Sequence, residues 1–121
     1  MERKIAITVK SDDGLSSKLD PRFGRTPFFL VVSRHGDDWA VSDTIRNGAV
    51  EQVHGAGGSA AKTMSELGVT DVISGRFGPK AYQALEALEV RMWLAGEGLS
   101  ANELLTALAD GALEEMKVAV F

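Results

Sequence analysis

A group of glycines near the middle of the chain has the spacing of a nucleotide-binding turn. Gly55-Ala56-Gly57-Gly58-Ser59-Ala60 matches the GxGxxA pattern, in which free N–H groups at a helix N-terminus hold an anion. That pattern normally follows a buried strand directly, whereas a polar loop precedes it here, and no acidic residue follows Ile73 to hold a ribose. The glycines therefore indicate either an anion site or only a flexible entrance to a helix.

Carboxylates and histidines are too scattered to predict a catalytic metal site. Asp12 and Asp13 follow the first apolar segment, where nucleases that use two divalent ions place acidic ligands. A later apolar segment ends in Ser74-Gly75 without a carboxylate, so the two aspartates are expected to form a turn. His35 and His54 have no partner at metal-ligand spacing, although His54 is a candidate contact for a soft metal such as copper. With no nucleophile–base–acid set in the sequence, we expect a protein that is not an enzyme.

The composition is that of an ordinary domain without thiol chemistry. The chain has 121 residues, of which 45% are hydrophobic and 25% charged, and this favours a single domain over residues 1–121. The absence of cysteine excludes disulfides, thiolate metal sites and thiolate-held iron–sulfur clusters. The net charge of −4 argues against nucleic-acid binding, and no apolar run has the length of a membrane helix or a secretory signal. We expect a cytoplasmic protein with neither nucleic-acid nor membrane partners.

Short apolar segments separated by polar loops predict five strands. They cover residues 5–9, 28–32, 39–45, 71–74 and 90–94. The second and third are joined by a short turn and should pair antiparallel. The segments 11–25 and 47–58 lack apolar periodicity, so we expect them to be mobile in solution.

Three segments with helical spacing follow the third strand. The first ends at Gly68, the second begins at Pro79, and the third begins with a capping box from Ser100 to Glu103. The apolar tail 117–121 is either a sixth strand or a cover for an apolar patch.

The order β-β-β-α-β-α-β-α predicts an α/β fold, with one mixed sheet between helices on both faces. Right-handed crossovers make strands one, four and five parallel, and the meander makes strand two antiparallel to them. The resulting spatial order 3-2-1-4-5 is the ribonuclease H-like topology. Ligands of such sheets bind beyond the carboxyl ends of the parallel strands. The loop 10–25 and the turns 75–78 and 96–98 should therefore share one edge, where we expect the site.

Three stretches of the sequence resemble the dinitrogenase iron–molybdenum cofactor biosynthesis family. They are KIAITVKSDDGL, LDPRFGRTPFFLVV and HGAGGSAAKTMSELGVTDVISGRFGPKAYQALEALEVRMWLA, and the likeness covers about residues 4–110. The fold of that family is ribonuclease H-like, in agreement with the order of the elements. Some members carry or insert nitrogenase cofactor precursors, and one branch, the orange proteins, holds a molybdenum–copper sulfide cluster non-covalently. The resemblance implies a small carrier or assembly protein for an anionic metal–sulfur cluster.

One position departs from the family pattern and bears on the kind of cluster. Nitrogenase-linked members often read HFG where this chain has Arg22-Phe23-Gly24, and arginine pairs with an anion rather than ligating a metal. Without cysteine, a cluster must bring its own sulfides, which favours the orange-protein branch and a molybdenum–copper sulfide or related Mo/Fe–S cluster. Such an anion needs positive charge, N–H donors and an apolar wall. The resemblance thus implies a cofactor-binding set of Arg22, Phe23, Arg25, His54, Gly55, Gly57, Gly58, Arg76, Phe77 and Lys80.

Each of these candidates also has a plainer structural alternative. The arginines of the first loop could simply pair with Asp12, Asp13 or Asp20, and the two phenylalanines could anchor the core. Lys80 could only solvate the start of a helix, and His54 could be an ordinary loop residue.

The function as a whole has alternatives too. The first is a regulatory or chaperone-like interaction module of the same fold, without a metal, that binds a protein partner through its apolar tail and acidic helices. An unrecognised small-molecule enzyme is the second.

Overall fold

Six strands form one mixed sheet in the computed structural model, which describes residues 3–48 and 56–117. The strands are β1 (Arg3–Val9), β2 (Phe28–His35), β3 (Asp38–Arg46), β4 (Asp71–Ser74), β5 (Arg91–Leu94) and β6 (Glu114–Glu115). The α-helices are α1 (Ala56–Leu67), α2 (Pro79–Ala87) and α3 (Ala101–Ala109). Along the sheet the strands lie in the order β3-β2-β1-β4-β5-β6. The predicted ribonuclease H-like order is confirmed, with a sixth strand added at one side.

Strand directions also follow the prediction and bring three strand ends together. β1 pairs antiparallel with β2, with Val9 opposite Phe28, and parallel with β4, with Ile5 opposite Asp71. β4 in turn pairs parallel with β5. The carboxyl ends of β1, β4 and β5 consequently meet at one edge of the sheet, which we call the carboxyl edge. It comprises the segments 20–25, 75–80 and 95–98.

Alternating side chains of the central strands bury an apolar layer on each face of the sheet. On β1, Ala6 packs with residues of α1 and α2, whereas Ile5 and Ile7 pack with residues of α3. The predicted helical faces supply the cover, and Met64 of α1 and Leu104 of α3 are fully buried. No helix in the two described ranges is long and apolar enough to cross a membrane.

The loop between β1 and β2 is tied to the rest of the molecule over its second half. Leu19 is fully buried, and its N–H donates to the carbonyl of Leu99 at 3.1 Å. The N–H of Asp20 donates to the carbonyl of Thr8 at 2.8 Å. The sequence does not predict this anchoring, because the buried residues of the loop follow neither a helical nor a strand period. We now expect mobility over 11–16 rather than over all of 11–25.

A sixth strand lies just before the apolar tail. Glu114 and Glu115 pair antiparallel with Leu94 and Trp93 of β5. The N–H of Met116 continues the pairing by donating to the carbonyl of Met92 at 2.8 Å. Residues 118–121, which make up most of the tail, lie outside the described residues.

Candidate functional site

The carboxyl edge brings together two segments that are distant in sequence, as predicted. Arg22 and Arg76 form an isolated parallel bridge, and the N–H of Phe23 donates to the carbonyl of Arg76 at 3.4 Å. Arg22 and Arg76 are both exposed. Two cationic residues therefore stand side by side where the turn after β4 meets the loop after β1.

Gly75 permits this approach because it lacks a side chain. A Cβ atom at this position would lie 2.6 Å from Cβ and 2.7 Å from Cα of Pro21, a distance that packed atoms do not adopt. The sequence identified Gly75 only as the end of a strand. The requirement for glycine here comes from the neighbouring chain, and no pattern local to residue 75 shows it.

Two buried hydroxyls occupy the strand ends at this edge. The Thr8 hydroxyl donates to the carbonyl of Asp20 at 2.6 Å, and its oxygen lies 2.9 Å from that of Ser74. The Ser74 hydroxyl is 3.4 Å from the carbonyl of Pro21. Thr8 and Ser74 are both fully buried. These hydroxyls connect the Asp20–Pro21 segment to the ends of β1 and β4. This connection was not predicted from the sequence, although a threonine inside the apolar run IAITV indicates a polar contact there.

Metal ligands do not gather at this edge in the part of the chain that the structure describes. Within 3–48 and 56–117, no group of three or more His, Asp or Glu side chains could hold a metal ion. Asp12 and Asp13, the candidate nuclease carboxylates, lie exposed on the loop after β1.

Arg22 forms a two-point ion pair with Asp20. Its Nε lies 3.2 Å from Oδ1 of Asp20, and its Nη2 lies 3.1 Å from Oδ2. The Arg22 backbone N–H also donates to Oδ1 at 2.9 Å. The Asp20 side chain is 5% exposed and that of Arg22 is 50% exposed. The hydrogen bonds to Asp20 and its negative charge raise the pKa of Arg22, so the guanidinium is always charged. Pairing with Asp20 was one of the three alternatives that the sequence left open.

Asn47 secures the other side of the short turn Phe23–Arg25. Its Nδ2 donates to the carbonyls of Gly24 at 3.1 Å and Thr26 at 2.9 Å, and its backbone N–H donates to the carbonyl of Pro27 at 2.9 Å. Asn47 is buried, so these bonds are shielded from water. The sequence pattern predicts only a loop at Asn47, because a buried asparagine after a strand cannot be distinguished in sequence from any other turn residue.

The two phenylalanines lie beneath the carboxyl edge rather than on it. Phe23 is 1% exposed and Phe77 is 3% exposed, and their ring centroids are 5.3 Å apart. Phe23 also contacts Phe29 of β2 at a centroid distance of 5.7 Å. Both rings belong to the core layer that α1 and α2 cover. Both side chains therefore lie where the structural alternative expected them, as anchors of the core.

The remaining candidates lie around the same edge or outside the described residues. Arg76 and Lys80 are exposed, and among the described contacts neither side chain forms an ion pair. Arg25 is partly buried. Gly57 and Gly58 lie in the first turn of α1, and a Cβ atom at Gly58 would meet nothing within 4 Å. His54 and Gly55 lie outside the described residues.

Comparison with known proteins gives a consistent assignment. The family model described as dinitrogenase iron-molybdenum cofactor matches residues 3–111. The apo form of the orange protein from Desulfovibrio gigas has 34% identity and a TM-score of 0.84, over 93% of this chain and 91% of that one. An uncharacterised protein of Methanocaldococcus jannaschii is 28% identical over 94% of this chain and 92% of its own length.

A more distant solved structure supports the fold alone. The solution structure of a NifB-like protein from Thermotoga shares 24% identity, with a TM-score of 0.81 over 98% of this chain and 97% of its own.

Because the family model spans nearly the whole sequence, this protein belongs to the dinitrogenase iron–molybdenum cofactor family.

Proposed function

We propose that this protein is a non-catalytic carrier or assembly protein that binds an anionic metal–sulfur cluster non-covalently at the carboxyl edge. The observation that carries the proposal is the bridge between Arg22 and Arg76, which sets two exposed cationic residues side by side. Family membership and the likeness to an orange protein support it. A single domain over 1–121 and a cytoplasmic location belong to the same proposal.

The donors at this edge suit an anion better than a bare metal ion. The chain has no cysteine, and the described residues offer no cluster of three metal-ligating side chains. Guanidinium and ammonium groups carry N–H donors and positive charge, so they bind acceptor atoms rather than metals. A cluster that brings its own sulfides, such as a molybdenum–copper sulfide or a related Mo/Fe–S cluster, presents acceptors of this kind.

Each residue of the edge has a distinct part in the proposed binding. Arg22 and Arg76 donate to the anion, while Lys80 and Arg25 add positive charge. Phe23 and Phe77 lie beneath the edge and hold its backbone in place through their contact in the core. Because Arg22, Arg76 and Lys80 are exposed, a bound cluster stays accessible for transfer, as a carrier requires.

The start of α1 and the residues before it in sequence belong to the same proposal. Gly57 and Gly58 stand in the first turn of α1, where N–H groups without helical partners favour negative charge. Gly55 and His54 precede them in sequence, and His54 is the candidate contact for copper. These assignments rest on the sequence pattern and on the family.

Reconstitution tests this function. Apo protein titrated with tetrathiomolybdate, with and without Cu(I), should develop a visible absorption band and retain molybdenum after desalting. Arg76→Gln should lower the affinity by about tenfold to a hundredfold, the equivalent of one charge-assisted hydrogen bond. Arg34→Gln is the control for the loss of one positive charge, because Arg34 is opposite Arg3 at the far end of the sheet.

The variants separate this function from its alternative. If wild-type protein retains no molybdenum, a protein-interaction module of the same fold becomes the better interpretation. If Arg76→Gln and Arg34→Gln bind equally well, the cluster site is not at the carboxyl edge.

A further inference from the structure

The ion pair with Asp20 occupies only one side of the Arg22 guanidinium. Asp20 accepts from Nε and Nη2, while the planar group has five N–H donors in total. The side chain of Arg22 is half exposed, at 50%, whereas that of Asp20 is 5% exposed. The buried carboxylate therefore holds the guanidinium from within, and donors remain for a ligand that arrives from solvent.

From this geometry we propose that Asp20 is a positioning residue, which orients Arg22 so that its remaining N–H donors meet a multiply charged sulfide or oxide anion. The proposal rests on the function proposed above. It assigns Asp20 a role opposite to the one that its charge alone suggests, since a carboxylate beside an anion site ordinarily weakens binding.

Asp20 can act in this way because its own position is fixed. Its N–H donates to the carbonyl of Thr8 at 2.8 Å, and its carbonyl accepts from the Thr8 hydroxyl at 2.6 Å. Its carboxylate also accepts the backbone N–H of Arg22 at 2.9 Å. Thr8 is in turn 2.9 Å from the buried Ser74 hydroxyl. A chain of buried contacts thus connects the sheet to the guanidinium.

The two effects of Asp20 on anion affinity have opposite signs, which makes the proposal decidable. If only charge mattered, removing the carboxylate would strengthen anion binding. If Asp20 orients Arg22, removing it frees a flexible side chain that must be immobilised again when the anion binds. We expect the second effect to prevail, because the carboxylate is buried behind the guanidinium and the anion approaches the exposed side.

The decisive variant is Asp20→Asn, assayed with tetrathiomolybdate as the probe. The amide oxygen still accepts the backbone N–H of Arg22, but the amide nitrogen cannot accept from the guanidinium. We expect affinity to fall by about threefold to tenfold, the usual cost of immobilising one long side chain. Asp12→Asn makes the same change in charge at an exposed position of the same loop, and should leave binding unchanged or slightly stronger.

A double-mutant cycle tests whether Asp20 acts through Arg22. In an Arg22→Gln background, Asp20→Asn should cause no further loss of tetrathiomolybdate affinity. If Asp20→Asn binds the probe as tightly as Asp12→Asn or more tightly, the carboxylate acts only by its charge and the proposal is wrong. An equal loss in both backgrounds would also contradict it.

A spectroscopic measurement without ligand separates this inference from the proposed function. In wild-type apo protein the Nε–H of Arg22 should give a resolved, slowly exchanging NMR signal, because it donates to a buried carboxylate. Asp20→Asn should lose that signal, and Asp12→Asn should keep it. A rapidly exchanging wild-type signal would overturn the positioning role. If the wild-type protein gives this signal but binds no tetrathiomolybdate, the proposed function is refuted, whereas the orientation of Arg22 by Asp20 stands.

Thr8→Val tests whether the buried hydroxyls hold Asp20 in position, and circular dichroism shows whether the variants are folded. It removes the hydroxyl that donates to the Asp20 carbonyl and leaves every charge in place. We expect weaker probe binding than in wild type but stronger binding than in Asp20→Asn, with far-UV circular dichroism unchanged in both. Suppose that Thr8→Val binds the probe with wild-type affinity, whereas a folded Asp20→Asn binds it weakly. The loss of affinity would then come from the carboxylate alone, and the role assigned to the buried hydroxyls would be wrong.

Discussion

Asp71 shows how a single side chain stabilises the edge of the sheet opposite the proposed site. Its carboxylate is fully buried at the start of β4 and lies 2.8 Å from Nη2 of Arg3 and 2.9 Å from Nε1 of Trp93. The Thr70 hydroxyl is 2.7 Å away. Burial by itself would raise the pKa of Asp71, but the hydrogen bonds from Arg3, Thr70 and Trp93 outweigh it and hold the pKa below the ordinary 3.8.

This depressed pKa predicts a loss of stability in acid. The unfolded chain takes up the proton at higher pH than the folded protein, so the stabilisation is complete above pH 3.8 and is lost as pH falls through the folded-state pKa. Asp71→Asn should lower the free energy of unfolding at pH 7 by about 1–3 kcal/mol, and by less in acid. Urea unfolding of both proteins between pH 7 and pH 2 measures this, with Asp12→Asn as the exposed control. If the difference in the free energy of unfolding between wild type and Asp71→Asn does not become smaller in acid, the depressed pKa is wrongly assigned to Asp71.

At the residue scale, the sequence limits the candidates but cannot choose among them. It offered Asp12, Asp13 and Asp20 as partners of the loop arginines, and only the buried one forms the pair with Arg22. Nothing in the local pattern distinguishes Asp20 from its neighbours, because its burial depends on contacts with Thr8. The requirement for glycine at position 75 and the hydrogen bonds of the Asn47 side chain likewise depend on backbone that is distant in sequence.

Helices and strands were predictable where their buried residues repeat with a regular period. β4 has the bounds expected from Asp71 to Ser74, and the capping box at Ser100 and Glu103 is formed. β6 has only two residues and therefore no period to recognise. The loop after β1 contains buried Leu19 and Phe23, but their spacing matches no regular element.

Hydrogen exchange should divide the loop after β1 into two parts. The amides of Leu19 and Asp20 donate to carbonyls within the fold, so we expect them to exchange slowly, as β1 does. The amides of Asp12 and Leu15 make no backbone hydrogen bond among those described and should exchange at least about a hundredfold faster. Exchange of the apo protein followed by NMR gives both rates. Equally fast exchange at Leu19 and Leu15 would show that the loop is not anchored in solution.

The charge of the whole molecule opposes the charge of its proposed site. The net charge is −4, which repels an anion at long range, while Arg22, Arg76 and Lys80 are exposed at the carboxyl edge. Binding of a multiply charged anion therefore depends on short-range attraction that exceeds a general repulsion. Strand order and directions, which the sequence predicts well, are what gather these cations from separate segments.

This balance predicts that salt acts in opposite directions on wild type and on a neutralised variant. Raising the salt concentration to about 0.5 M shortens the screening length to about 4 Å, which weakens the attraction between the edge and tetrathiomolybdate. Combined replacement of Arg22, Arg76 and Lys80 by glutamine changes the net charge from −4 to −7, because three positive charges are removed. Arg25 is then the one cation left among the residues proposed for the site, and the net repulsion should prevail over it, so salt should strengthen whatever weak binding the variant retains. Equilibrium dialysis with molybdenum analysis across a salt series measures both slopes. Parallel slopes would show that these three residues do not supply the attraction, since their removal would then leave the electrostatics of binding unchanged.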